Sequence, residues 1–258
     1  IEKSKSSISD FYSNKILKSN GLINLTSALE NIHKPENQIK LDNAIYRLKF
    51  DEHFFLQLIL ALKRSNLKRN KTIKFKNKDN FVKKIFNKIP FNLTNSQIRV
   101  LKDIRDDLSS DKSMNRLIQG DVGCGKTIVA VLAAGIAIDN SSQVAVMAPT
   151  EILSEQHYNS FKGYCDAIGI SCELLIGNLN KKEKDYIHER LKSGKIDIVI
   201  GTHALIQEKI HFKNLGLAII DEQHRFGVEH RKMLIKKSRN PNVLAMTATP
   251  IPRTLSMT

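Results

Sequence analysis

The sequence predicts an α/β fold: a parallel β-sheet with helices on both faces, preceded by a small, mostly helical segment. Three observations predict it. From Phe91 onward, short apolar runs alternate with amphipathic stretches of helical length. The first of those runs leads into a glycine-rich loop of the phosphate-binding type. The other clusters of chemistry-bearing residues each fall at the end of a later run, where open parallel sheets bind their ligands.

Taken in order, residues 1–90 read as helical, with few breakers. Over residues 39–62, Ala44, Ile45, Leu48, Phe54, Phe55, Leu58 and Leu62 recur at helix-like spacing. The segment FVKKIFN (81–87) gives another short helix, stopped by Pro90. Between them, KRSNLKRNKTIKFKNKDN is the linker candidate, or a basic helix that continues. No internal repeat is present. The later apolar runs are RLIQG (116–120), VAVMA (144–148), CELLIG (172–177), DIVIG (197–201), LAIID (217–221) and VLAMT (243–247). Runs of this kind are strands buried on both faces, as in a parallel sheet. Residues 126–138, 151–167 and 181–191 have the length and pattern of the covering helices. This divides the chain into a helical segment, 1–90, and an α/β domain, 91–258.

Composition narrows the class. Apolar residues make up 41% of the 258, enough for a sizeable core and against wholesale disorder. No apolar run approaches the roughly 20 residues that span a bilayer. The start, IEKSKSSISD, has no signal-peptide pattern. With no initiator Met and an abrupt stop at LSMT, both ends read as cuts through a longer protein. Cys124, Cys165 and Cys172 form no CxxC pair, so a reducing cytoplasm is the expected location. No two histidines have metal-ligand spacing with a cysteine.

The net charge of +15 is unevenly spread, with 19 Lys/Arg against 8 Asp/Glu in residues 1–90. The densest stretch, 63–88, either meets a polyanion by counterion release or simply solvates a helical face.

Gly120-Asp-Val-Gly-Cys-Gly-Lys-Thr127 fits GxxxxGK[ST] between an apolar run and a helix. Glycines let successive N–H groups of Gly120, Asp121, Val122, Gly123, Cys124 and Gly125 turn inward on phosphate oxygens. The helix N-terminus adds positive potential there. Lys126 would neutralise the β- and γ-phosphates of ATP, and the Thr127 hydroxyl would ligate Mg²⁺. LAIID-E places Asp221 beside the metal and Glu222 toward the γ-phosphate, as general base for the attacking water. Pro149-Thr150-Glu151 opens a helix whose amides suit a nucleic-acid phosphate, and Gly201-Thr202-His203 ends a strand in the same way. Thr247 and Thr249 bring two hydroxyls to the end of the last run. Singly, the last three motifs would be ordinary turn chemistry. As an ordered set on successive strands, they are more.

P-loop, PTE, GTH, DExH and TAT in this order resemble the first RecA-like domain of superfamily 2 helicases. The wording GDVGCGKT, MAPTEILSEQH, IVIGTHALIQ, IIDEQHRFGV and MTATPIPRTL resembles the RecG family over residues 91–258. That family usually has Ser where Cys124 stands. The resemblance implies that Phe91 and Gln97 bind the adenine. It also implies that Pro149, Thr150, Glu151, Gly201, Thr202, His203, His224, Thr247 and Thr249 contact DNA or couple it to hydrolysis. Residues 1–90 resemble, more loosely, the helical connection to an upstream wedge domain. The implied activity is ATP-dependent translocation on branched or double-stranded DNA at stalled forks and Holliday junctions. The implied partners are that DNA and a single-strand-binding protein, with the chain acting as a monomer. A second RecA-like domain would follow Thr258, so residues 1–258 alone should bind nucleotide weakly and hydrolyse it poorly. The transcription-repair coupling translocases share GDVG-x-GKT and TATPIPRTL but differ more at APTEILSEQH and DEQH. A binding module with an inactive pocket is the remaining alternative, which intact Lys126, Thr127, Asp221 and Glu222 oppose.

Overall fold

The computed structural model describes residues 9–69, 72, 74–76, 78–222, 226, 228–238 and 240–248; for 63–69, 228 and 231 it describes the backbone alone. The described residues fall into two compact units, one up to residue 66 and one from 67 onward.

The first unit holds α1 (Asn14–Ser19), α2 (Leu25–His33) and most of α3 (Gln38–Arg69). Its organising group is Arg47, fully buried. The guanidinium donates to both carboxylate oxygens of Asp10 (2.9 and 3.0 Å), to Asp51 (2.8 Å) and to the Ile23 carbonyl (2.6 Å). It also lies 5.3 Å from the Phe11 ring centre and 4.8 Å from that of Tyr12. A buried cation is tolerable only when its donors are met in this way. Tyr12, Leu17 and Leu22, with Phe50 and Phe54 against them, form the small core.

The second unit is the α/β domain. After α4 (Asn80–Phe86) and α5 (Asn95–Leu108) come β1 (Asn115–Gln119), α6 (Lys126–Asp139), β2 (Gln143–Met147), α7 (Glu151–Asp166) and β3 (Cys172–Leu175). Then follow α8 (Lys181–Ser193), β4 (Ile198–Gly201), a 3₁₀ turn (His203–Ile206), β5 (Leu215–Ile220), α9 (Val228–Ile235) and β6 (Asn242–Thr247). The strands form one sheet in the order β1-β6-β5-β2-β4-β3, every pair parallel. All six apolar runs are strands, and the three helices expected between them are present.

Strand residues alternate between two cores, as the two-residue period requires. Val144, Val146, Leu217, Ile219, Leu244 and Met246 enter the core beneath α4 to α7. Ala145, Met147, Ala218, Ile220 and Val243 enter the opposite core with Ile187 and Leu191 of α8. With both faces covered, the four inner strands are apolar along most of their length, whereas the edge strands β1 and β3 keep Arg116, Gln119 and Glu173. Helix α6 sits so deep that every residue from Ile128 to Asp139 is buried.

The α/β unit reaches further upstream than residue 91, where the sequence set its start. Phe75 and Ile85 are buried in the same core as α6. Phe75 N–H donates to the Leu108 carbonyl (3.0 Å), and Lys76 exchanges two hydrogen bonds with the Asn140 side chain. Asp139, at the end of α6, accepts from the N–H groups of Phe81 and Val82 and thereby caps α4 from outside. Of the basic stretch, Lys74, Lys76, Lys78, Lys83 and Lys84 are exposed. The side chains of 63–71 lie outside the described residues.

Candidate functional site

The strand order sets the site. Reading β1, β6, β5, β2, β4 across the sheet, the motifs at their ends stand as P-loop, Thr247-Ala248, Asp221-Glu222, Pro149-Thr150-Glu151 and Gly201-Thr202-His203. The phosphate candidates thus fall on one side and the nucleic-acid candidates on the other.

The P-loop leaves β1 with Gly123 and Gly125 at φ 82° and 83°, a region L side chains rarely adopt. Lys126 opens α6 and donates to the carbonyls of Gly120 (2.6 Å) and Asp121 (2.8 Å), so its ammonium folds back over its own loop. The Val122 side chain points to solvent, which leaves its backbone as the useful part. The Cys124 N–H donates to the Asp121 carbonyl, and its sulfur lies 4.0 Å from the Lys126 nitrogen.

Gln97 is tied to this loop. Its Oε1 accepts from Thr94 N–H (2.9 Å) in the capping box that starts α5, and its Nε2 donates to the Cys124 carbonyl (3.1 Å). At φ 83° position 125 favours glycine, and a Cβ there would also push aside the Gln97 amide nitrogen, 2.3 Å away. The amide keeps one N–H and one lone pair for a base edge. Phe91, exposed, lines a cavity of about 400 Å³ with Gly125, Thr127, Ile128, Ser160 and Tyr164.

Asp221 follows β5, its N–H donating to the Met147 carbonyl (2.9 Å). Its carboxylate is buried and accepts from His157 Nε2 of α7 at 2.7 Å. Glu222 has φ 47°, a left-handed conformation costly for a non-glycine residue, of order 1–3 kcal/mol. Ala248 N–H (3.2 Å) and the Thr247 hydroxyl (3.4 Å) donate to its two oxygens, holding it against the end of β6.

On the other side, the Thr150 hydroxyl accepts from Leu153 N–H (3.2 Å) and caps α7. Glu151 braces that turn, accepting from Gly177 N–H (2.8 Å) and from the Asn178 amide (2.6 Å). Gly201 lies so close to β3 that a Cβ would be 2.1 Å from the Leu175 carbonyl oxygen. Thr202 is buried, and His203 is the exposed member of its trio. His224 and Thr249 lie outside the described residues, as do Arg225 and Gly227.

Sequence reasoning passed over three α7 residues: His157, at Asp221, and Ser160 and Tyr164, at the cavity. Spacing puts 157, 160 and 164 on one side of a helix but marks none of them with a role.

Residues 94–258 match the family described as DEAD/DEAH box helicase. The chain is 46% identical to the ATP-dependent DNA helicase RecG of Aquifex aeolicus over 237 residues, 89% of this chain and 30% of that protein. It is 44% identical to RecG of Bacillus subtilis over 253 residues, 98% of this chain and 37% of that one. A solved structure of RecG bound to a three-way DNA junction matches with a TM-score of 0.81 and 41% identity, covering 98% of this chain and 34% of that chain. The chain therefore spans about a third of the length of these relatives.

Such helicase domains bind a nucleotide with a divalent metal. The residues here fit that pair. The Thr127 hydroxyl and Asp221 carboxylate are oxygen donors, which a small divalent cation takes. Among the described residues, no three His, Cys, Asp or Glu side chains gather to hold a metal alone.

Proposed function

We propose, on the premise that this chain belongs to the DEAD/DEAH box helicase family, that it is the first of two motor domains of an ATP-driven translocase acting on branched double-stranded DNA. One observation carries the reading. The strand order brings the end of β1, leading through the P-loop to Lys126-Thr127, beside those of β6 with Thr247 and β5 with Asp221-Glu222, and the ends of β2 and β4 come next in order.

In this reading Lys126 leaves its loop carbonyls for the β- and γ-phosphates of ATP. Thr127 and Asp221 would hold Mg²⁺, which when bound would neutralise charge on the transferring phosphoryl group. Glu222, held by Ala248 N–H and Thr247, takes the proton of the attacking water. Phe91 packs on the adenine and Gln97 meets its edge with the hydrogen-bonding capacity it has left. The α7 N-terminus and the His203 turn face the DNA backbone, where backbone amides and helix dipole favour phosphate. Residues 1–90 would connect to a wedge domain upstream, their exposed lysines adding non-specific affinity for duplex.

The test is ATP hydrolysis by residues 1–258 and by a polypeptide that also carries the second motor domain, each with and without a synthetic four-way junction. Slow turnover by the first and junction-stimulated turnover by the second are expected. Glu222→Gln should abolish turnover while nucleotide still binds. Stimulation that survives Glu222→Gln refutes the base assignment, and stimulation by linear duplex but not by the junction refutes the branched substrate.

A further inference from the structure

Asp221 is held twice, once through its backbone by β2 and once through its side chain by α7. The His157–Asp221 contact spans 64 residues of sequence and joins two buried groups at 2.7 Å. A carboxylate can only accept, so His157 Nε2 carries the shared proton and donates it. Among the described residues Oδ2 alone is engaged, which leaves Oδ1 for a metal's water shell. A rigid ring at fixed reach sets one orientation of the carboxylate, where a flexible lysine would allow several.

The helix that carries His157 is itself immobilised. Thr150 caps it, Ser154 is buried and donates to the Thr150 carbonyl (3.0 Å), Glu151 braces it to Gly177 and Asn178, and Phe161 is fully buried. One turn beyond His157, Ser160 and then Tyr164 line the cavity beside Gly125 and Thr127. A single helix therefore touches both the proposed metal carboxylate and the wall of the nucleotide cavity.

We propose that His157 is a positioning residue that orients Asp221 for the divalent metal of the nucleotide site. This rests on the assignment of a metal–nucleotide site made above. It gives His157 a role in metal affinity that packing alone would not.

The experiment measures binding of a fluorescent, non-hydrolysable ATP analogue as Mg²⁺ is titrated, with metal-free binding and thermal unfolding of each variant recorded in parallel. His157→Ala should raise the Mg²⁺ needed for half-maximal enhancement by about 10- to 100-fold, the usual cost of losing an outer partner of a metal ligand. Metal-free binding should be unchanged. His157→Gln, which returns an N–H at similar reach, should restore the requirement to within a few-fold of wild type. In an Asp221→Asn background, His157→Ala should add nothing.

Three results overturn the assignment: an unchanged Mg²⁺ requirement in folded His157→Ala, no restoration by His157→Gln, or an undiminished effect in the Asp221→Asn background. If His157→Ala does not fold, His157→Leu, which keeps apolar bulk without an N–H, takes its place in both comparisons. Wild-type protein that binds no nucleotide, with or without Mg²⁺, refutes the functional reading itself and is recognised separately.

Discussion

Asp139 offers the sharpest test of how the domain is assembled. It ends α6, where the negative pole of the helix disfavours a carboxylate, and it is buried. What offsets this is α4, whose N-terminus lies against it. Both carboxylate oxygens accept from Phe81 N–H (3.0 and 3.2 Å), and Oδ2 also meets Val82 N–H at 3.4 Å. The residue just before α4, Asp79, makes no side-chain cap of its own, so Asp139 supplies it. A hydrogen bond to a charged group contributes about 1.5–3 kcal/mol. The weaker Val82 contact adds to this, and the unfavourable pole of α6 subtracts. Asp139→Ala should therefore destabilise the α/β unit by about 2–3 kcal/mol. With a urea m-value of about 2–3 kcal/mol/M, the unfolding midpoint falls by about 1 M. The chain has no tryptophan, so far-UV circular dichroism is the probe. Asp139→Asn keeps an acceptor but loses the charge, and should cost about half as much. A midpoint for Asp139→Ala that moves by less than the equivalent of about 0.5 kcal/mol would show that α4 is not capped by α6, and the packing argument would fail.

Three other perturbations follow from the geometry. Gly201→Ala must push β4 from the Leu175 carbonyl that its Cβ would meet at 2.1 Å, and should lower stability by about 1–3 kcal/mol in the same assay; a neutral effect would mean that β3 yields freely. The Arg47 guanidinium, with help from Tyr12 and Leu25 N–H groups, holds the Asp10 carboxyl down from 3.8 to about 2. Because the folded value is the lower one, that stabilisation is intact above pH 3.8 and is lost as pH falls through about 2. Asp10→Asn should flatten this acid limb of the unfolding curve, and an unaltered limb would remove Asp10 from the account. Cys124 is exposed in the P-loop, whereas Cys165 and Cys172 are buried. The Cys172 thiol is pushed far up by its hydrogen bond with Cys165 and by burial, so it stays protonated and inert. One equivalent of maleimide should modify Cys124 alone and block nucleotide binding, and bound nucleotide should protect; labelling that leaves binding intact would refute the placement of Cys124.

Much of this protein is decided locally. The six strands were legible because a sheet covered on both faces keeps its strands apolar along most of their length. Helices α6, α7 and α8 were legible from their length and spacing between those runs. The glycine-rich loop before α6 was legible, since a few consecutive residues determine its backbone geometry. What local pattern does not carry is which strand lies beside which. That β6 inserts between β1 and β5, bringing Thr247 to Glu222, is a matter of how helices pack across the sheet. The same holds for the described residues between 72 and 90, whose lysine-rich surface hid the few buried groups, Phe75 and Ile85, that share a core with α6. It holds for Glu151, a brace to the loop after β3, and above all for His157. One histidine in a mixed helix has no periodic or compositional mark of its role. Only when β2 and β5 lie side by side does it come within hydrogen-bonding distance of Asp221, and that adjacency is a property of the folded chain.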